Sequence, residues 1–117
     1  MRPDGGDAAY LWDIREAAQD ILSFTDGLTL SAFVANRQKL LAVERAIEII
    51  GEAARRVSPA FQTSHPEIPW RAMIGQRNVL AHDYAEIDYE VIWKTVNEDL
   101  TPLIDRIGSL LPPDLNP

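Results

Sequence analysis

Cysteine is absent from these 117 residues, which removes disulfides, thiolate metal sites and thiol nucleophiles together. Histidine is nearly as scarce, with only His65 and His82 available for proton transfer near neutral pH. No apolar run approaches the roughly 20 residues that a membrane span needs, and the opening MRPDGGDAAY lacks the apolar core of a signal segment. A soluble, cytoplasmic protein with no membrane partner is therefore expected. Strand signals are missing too: no stretch sustains period-two alternation and no Asn-Gly turn occurs. Basic residues are the minority, 11 against 18 acidic, and the net charge of −7 argues against broad binding to a polyanion.

The charge that is present is unevenly spread. Residues 37 to 77 hold seven basic side chains (Arg37, Lys39, Arg45, Arg55, Arg56, Arg71, Arg77) and four acidic ones, a local net of +3, while the remainder carries −10. One positive region in a negative body could admit a nucleic acid at one place.

The length predicts a single domain over residues 1–117, with 1–6 and 112–117 as flexible tails. Apolar residues at Leu11, Ile14, Ala18, Ile21 and Leu22 recur at helical spacing and predict a helix from about Asp7 to Thr25, with Asp7 as N-cap and Gly27 as stop. A second helix is predicted from Ser31, as cap, to Val57, ended by Ser58-Pro59 and carrying apolar positions at Phe33, Val34, Leu40, Leu41, Ile47, Ile49, Ile50, Ala53 and Val57. Gly51 sits inside it at a cost of about 1 kcal/mol relative to alanine, for which close helix packing is the ordinary explanation. The Pro-rich connector 58–69 leaves room for one short helical turn and places His65 in an exposed loop. A third helix starts near Pro69 with Trp70, Met73, Ile74, Val79 and Leu80 inward. The last runs from the cap Asp88 through Ile107, kinked near Glu98 or Asp99 because Pro102 removes a backbone bond. The fold class is thus all-α, an antiparallel bundle of four to five helices, with Trp12, Trp70 and Trp93 as core or interface residues.

The run RNVLAHDY, residues 77 to 84, collects Arg77, His82 and Tyr84 within eight positions. A guanidinium offers a permanent cation and a planar fork of donors; an imidazole gives or takes a proton. RNA carries its own nucleophile, the 2′-hydroxyl, so its cleavage needs a proton acceptor, a proton donor and positive charge on the phosphorane, without a metal or other cofactor. On a regular helix positions 77 and 82 stand about 140° apart. Convergence then requires either that the helix ends near Ala81 and turns His82 back, or that the two side chains meet across a subunit boundary.

IEIIGEAARRVS (47 to 58) and IPWRAMIGQRNVLAHDYAEIDYEVIW (68 to 93) resemble the HEPN superfamily, specifically the HepT-like toxins of prokaryotic toxin-antitoxin pairs. The similarity spans nearly the whole chain apart from the extreme termini, and the motif of arginine, polar residue, three residues, histidine, one residue and tyrosine is met without departure by Arg77, Asn78, His82 and Tyr84. The resemblance implies a HEPN-like bundle that homodimerises with two motifs facing one cleft. It implies a metal-independent endoribonuclease in which Arg77 and His82 are catalytic and Asn78 is supporting, with RNA and not DNA as substrate. It also implies a cognate minimal nucleotidyltransferase antitoxin that silences the toxin by transferring AMP to Tyr84, where a phosphate beside Arg77 would occupy the cation meant for substrate. The alternative is a non-catalytic helical module that partners a nucleotidyltransferase, which the acidity of a −14 dimer favours.

Overall fold

The computed structural model describes residues 2 to 80 and 87 to 113, and the backbone alone of Ala81 and His82. The fold it shows is all-helical, and among the described residues there is no strand. Helix α1 (Gly6–Thr25) buries Leu11, Ile14, Ala18 and Ile21, the stripe its spacing marks out. Gly27, at φ 73°, takes the left-handed conformation past its end. Asp7 is not the cap of this helix, which begins after Gly5. Its carboxylate instead accepts from the backbone N–H of Ser58 at 2.8 Å and the Ser58 hydroxyl at 2.7 Å. Asp7 thereby fixes the residue that caps helix α4 (Pro59–Ser64), the short turn foreseen in the connector.

The long second helix is two helices. Thr29, rather than Ser31, caps α2 (Leu30–Ala35), and Asn36 then separates it from α3 (Arg37–Arg56). Asn36 donates its backbone N–H to the Phe33 carbonyl, closing α2, and accepts from Lys39 N at 3.1 Å through its side chain, opening α3. A short amide side chain that competes for local backbone groups ends a helix that apolar periodicity alone would carry through. Val34, Leu41 and Ile49, counted with the apolar face, lie exposed.

Helix α5 (Trp70–His82) begins one residue after Pro69. Asp88 caps α6 (Tyr89–Lys94), accepting from Glu90 N and Val91 N. The break expected from Pro102 appears as a π-helical turn, Thr95–Asp99, in which Leu100 N–H reaches back to the Thr95 carbonyl, followed by α7 (Leu100–Leu110). Helices α1 and α3 pack together at the centre, with α7 against α1 and α5 against α3. Phe33, Val43, Val57, Ile68 and Ile107 are among the fully buried side chains, and all three tryptophans pack on this core. Trp70 also donates its indole N–H to the His65 carbonyl at 2.9 Å. His65 is not a free loop residue: it is half-buried over the Phe61 ring at 4.4 Å and pairs with Glu67 at 3.0 Å. No helix among the described residues is long and apolar enough to cross a membrane.

Candidate active site

Arg77 is placed by the contact between α3 and α5, and that contact depends on Gly51. A Cβ at residue 51 would stand 2.1 Å from the Cβ of Arg77 and 2.7 Å from the Met73 carbonyl oxygen, well inside any real contact. With hydrogen there, the first carbons of the Arg77 side chain run directly over the α3 backbone, and its guanidinium emerges beside the next residue, Glu52. The Arg77 Nη2 atom lies 3.5 Å from a Glu52 oxygen, and the side chain keeps 28% exposure. Its Nη1 donates to the Asn78 side-chain oxygen at 3.2 Å, so the two motif neighbours hold each other at the exposed end of the pair.

Glu52 is a hub. Arg55 donates to it twice, at 2.8 and 3.3 Å, and Arg56 once, at 2.9 Å. Those bonds from Arg55 and then Arg56 hold its carboxyl well below the usual carboxylate range, down to about 2, so it is charged at every physiological pH. Three guanidiniums from two helices therefore surround one anion. The positive region read from residues 37 to 77 is realised here, in GEAARR (51 to 56) facing Arg77. Glu52, Arg55 and Arg56 stand outside the motif. The signal for them is the spacing of three and four residues that puts both arginines on the Glu52 face of α3.

Helix α5 continues through His82 without turning back. Of the two routes to convergence, a turn of the chain after the helix falls on residues 83 to 86, which lie outside the described residues; on the helix itself positions 77 and 82 stand about 140° apart, so the helix alone does not carry both on a common face. The His82 side chain, like Asp83 and Tyr84, lies outside the described residues. Position 82 falls on a different stripe of α5, one also marked by Gly75 and Val79 at helical spacing. Val79, expected inward, is 46% exposed, and with Gly75, Ile87 and Val91 it lines an apolar groove of about 510 Å³ between α5 and α6.

With this geometry in place, comparison with known proteins identifies the chain's relatives. The Ribonuclease HepT-like family model matches residues 14–110. The chain belongs to the Ribonuclease HepT-like family. It is 45% identical over 92 residues to "Putative RNase MJ1380" of Methanocaldococcus jannaschii, covering 79% of this chain and 84% of that one. It is likewise 45% identical over 101 residues to "Probable ribonuclease HepT" of Thermococcus cleftensis, covering 86% and 92%. A relative from Caldanaerobacter subterraneus, "Putative RNase TTE0752", is 28% identical over 102 residues, covering 87% and 91%. No solved structure matches. Membership of this family makes the chain a ribonuclease and agrees with the all-helical bundle.

Proposed function

We propose that this HepT-like protein is the cytoplasmic toxin of a toxin-antitoxin pair, a metal-independent endoribonuclease that works as a homodimer with Arg77 and His82 as its catalytic groups. The observation that carries the reading is Arg77 itself: a motif guanidinium seated in a three-arginine cluster, on the helix that also bears His82. In the reaction the 2′-oxygen bonds to phosphorus while the bond to the 5′-oxygen breaks, leaving a cyclic phosphate and a 5′-hydroxyl. One imidazole takes the 2′-hydroxyl proton, and an imidazolium delivers a proton to the departing oxygen. Arg77 compensates the charge that builds on the phosphorane oxygens through bidentate bonds, and Asn78 steadies Arg77. Each site pairs the His82 of one subunit, acting first as proton acceptor and then as donor, with the Arg77 of the other, so a dimer holds two sites. The exposed apolar stripe at Val79 supports such pairing, because a second copy would cover it and bring its own position 82 to the opposite side of the groove.

Incubated with RNA in excess chelator, the wild-type protein should degrade it, while His82→Ala should be slower by about a hundredfold or more. Equal decay with both proteins would discard the catalytic assignment and leave the reading of a helical module that binds a nucleotidyltransferase.

Tyr84 is the control point of the same proposal. A minimal nucleotidyltransferase antitoxin transfers AMP from ATP to its phenol oxygen, the new oxygen–phosphorus bond forming as the bond to the departing pyrophosphate breaks and the phenol gives up its proton, and the new phosphate competes for Arg77. After co-expression with that partner, intact mass should increase by whole AMP units in the wild type and not in Tyr84→Phe; an increment that persists in the variant places the modification elsewhere.

A further inference from the structure

Arg55 and Arg56 take no part in the reaction scheme, yet they share a carboxylate with the residue that does. Around Glu52 three cations and one anion leave a net +2 in a chain whose total is −7. The cluster is graded in depth: Arg77 is 28% exposed, whereas Arg55 and Arg56 are each 56% exposed. Ion pairs this exposed are weak because water screens them, so the outer guanidiniums can exchange a carboxylate oxygen for a phosphate oxygen at small cost. Helix stabilisation alone asks for one such pair on Glu52; it does not ask for a second on the same oxygen or for a third cation from another helix.

We propose that Arg55 and Arg56 form a phosphate-binding track for the RNA strand, gripping backbone phosphates next to the scissile one held by Arg77. The track rests on the ribonuclease reading for the identity of its ligand. Glu52 acts as the anchor that keeps the three guanidiniums fanned from one point, so that a strand entering the cluster meets them in a fixed order. Because guanidiniums read phosphate and not base edges, the track contributes affinity and register without sequence preference.

The test uses the intact protein and a 2′-O-methyl RNA decamer, which offers phosphates but no nucleophile. Its dissociation constant is measured by fluorescence anisotropy across a salt series. For single strands each neutralised phosphate contributes about 0.7 to the slope of log K against log salt, so R55Q/R56Q should flatten the wild-type slope by about 1.4. Lys94→Gln, which removes an exposed charge paired with Glu98 away from the cluster, should leave it in place. No binding by wild type, an unchanged slope in R55Q/R56Q, or an equal loss in Lys94→Gln would each overturn the track. The unmodified decamer separates this from the parent reading: binding without cleavage counts against the ribonuclease mechanism, and cleavage with an unchanged slope counts against the track alone.

Discussion

Gly51→Ala should lower the melting temperature by roughly 5 to 10 °C and depress RNA cleavage with it. Two effects oppose each other. Alanine in mid-helix gains about 1 kcal/mol over glycine. Against that, the new methyl would sit 2.1 Å from Arg77 Cβ, and about 1.3 Å must be gained before that contact becomes ordinary at 3.4 Å. The Met73 carbonyl at 2.7 Å is backbone and cannot rotate away, so α3 and α5 must part. Overpacking of this kind costs about 1 to 3 kcal/mol, and here the upper end applies, leaving a net loss near 2 kcal/mol. The activity loss follows because parting the helices moves Arg77, and a misplacement of about 1 Å can cost a hundredfold. Gly75→Ala is the control: a Cβ there meets nothing within 4 Å, so thermal stability should hold or rise. A Gly51→Ala protein as stable and active as wild type would refute the close-approach account of Arg77.

The second large effect is recovery of activity from two dead proteins. Arg77→Ala and His82→Ala should each lose at least about a hundredfold in turnover. If an active site draws its arginine from one subunit and its histidine from the other, mixing and reassociating the two variants builds one intact site in each heterodimer. Random pairing makes half of all dimers heterodimers, so about a quarter of wild-type activity should return. The requirement arises from α5, which stays regular through His82 and leaves the two positions about 140° apart. A mixture as inactive as its components would mean that each site takes both groups from one chain.

Local signals translated directly into structure where one residue decides the outcome. Asp88 caps α6, Gly27 follows α1, and the helical irregularity at Thr95–Asp99 ends three residues before Pro102. Asn36 was hidden because apolar residues at Phe33 and Leu40 continue the helical rhythm across it, and rhythm carries no information about a cap inside the run. Val79 shows the limit of periodicity in another way: an apolar stripe marks a face to be covered but does not say whether the cover belongs to the same chain. Within the site, the motif residues were legible as a set. The Glu52 hub was not, because it exists only once α5 lies on α3 at Gly51, a tertiary fact that the helix spacing of Arg55 and Arg56 merely permits.

The π turn at Thr95–Asp99 lets Ile92, Val96, Leu100, Leu103 and Ile107 all reach the interior although the first two steps are four residues each. In an unbroken α-helix such steps drift round the cylinder by about 40° apiece. The wider turn absorbs that drift. Removing a single residue between 95 and 99 would therefore swing everything beyond it by about 100° and present the wrong side of the final helix to α1, whereas exchanging side chains there would not. In this corner of the molecule the count of residues is itself the specification.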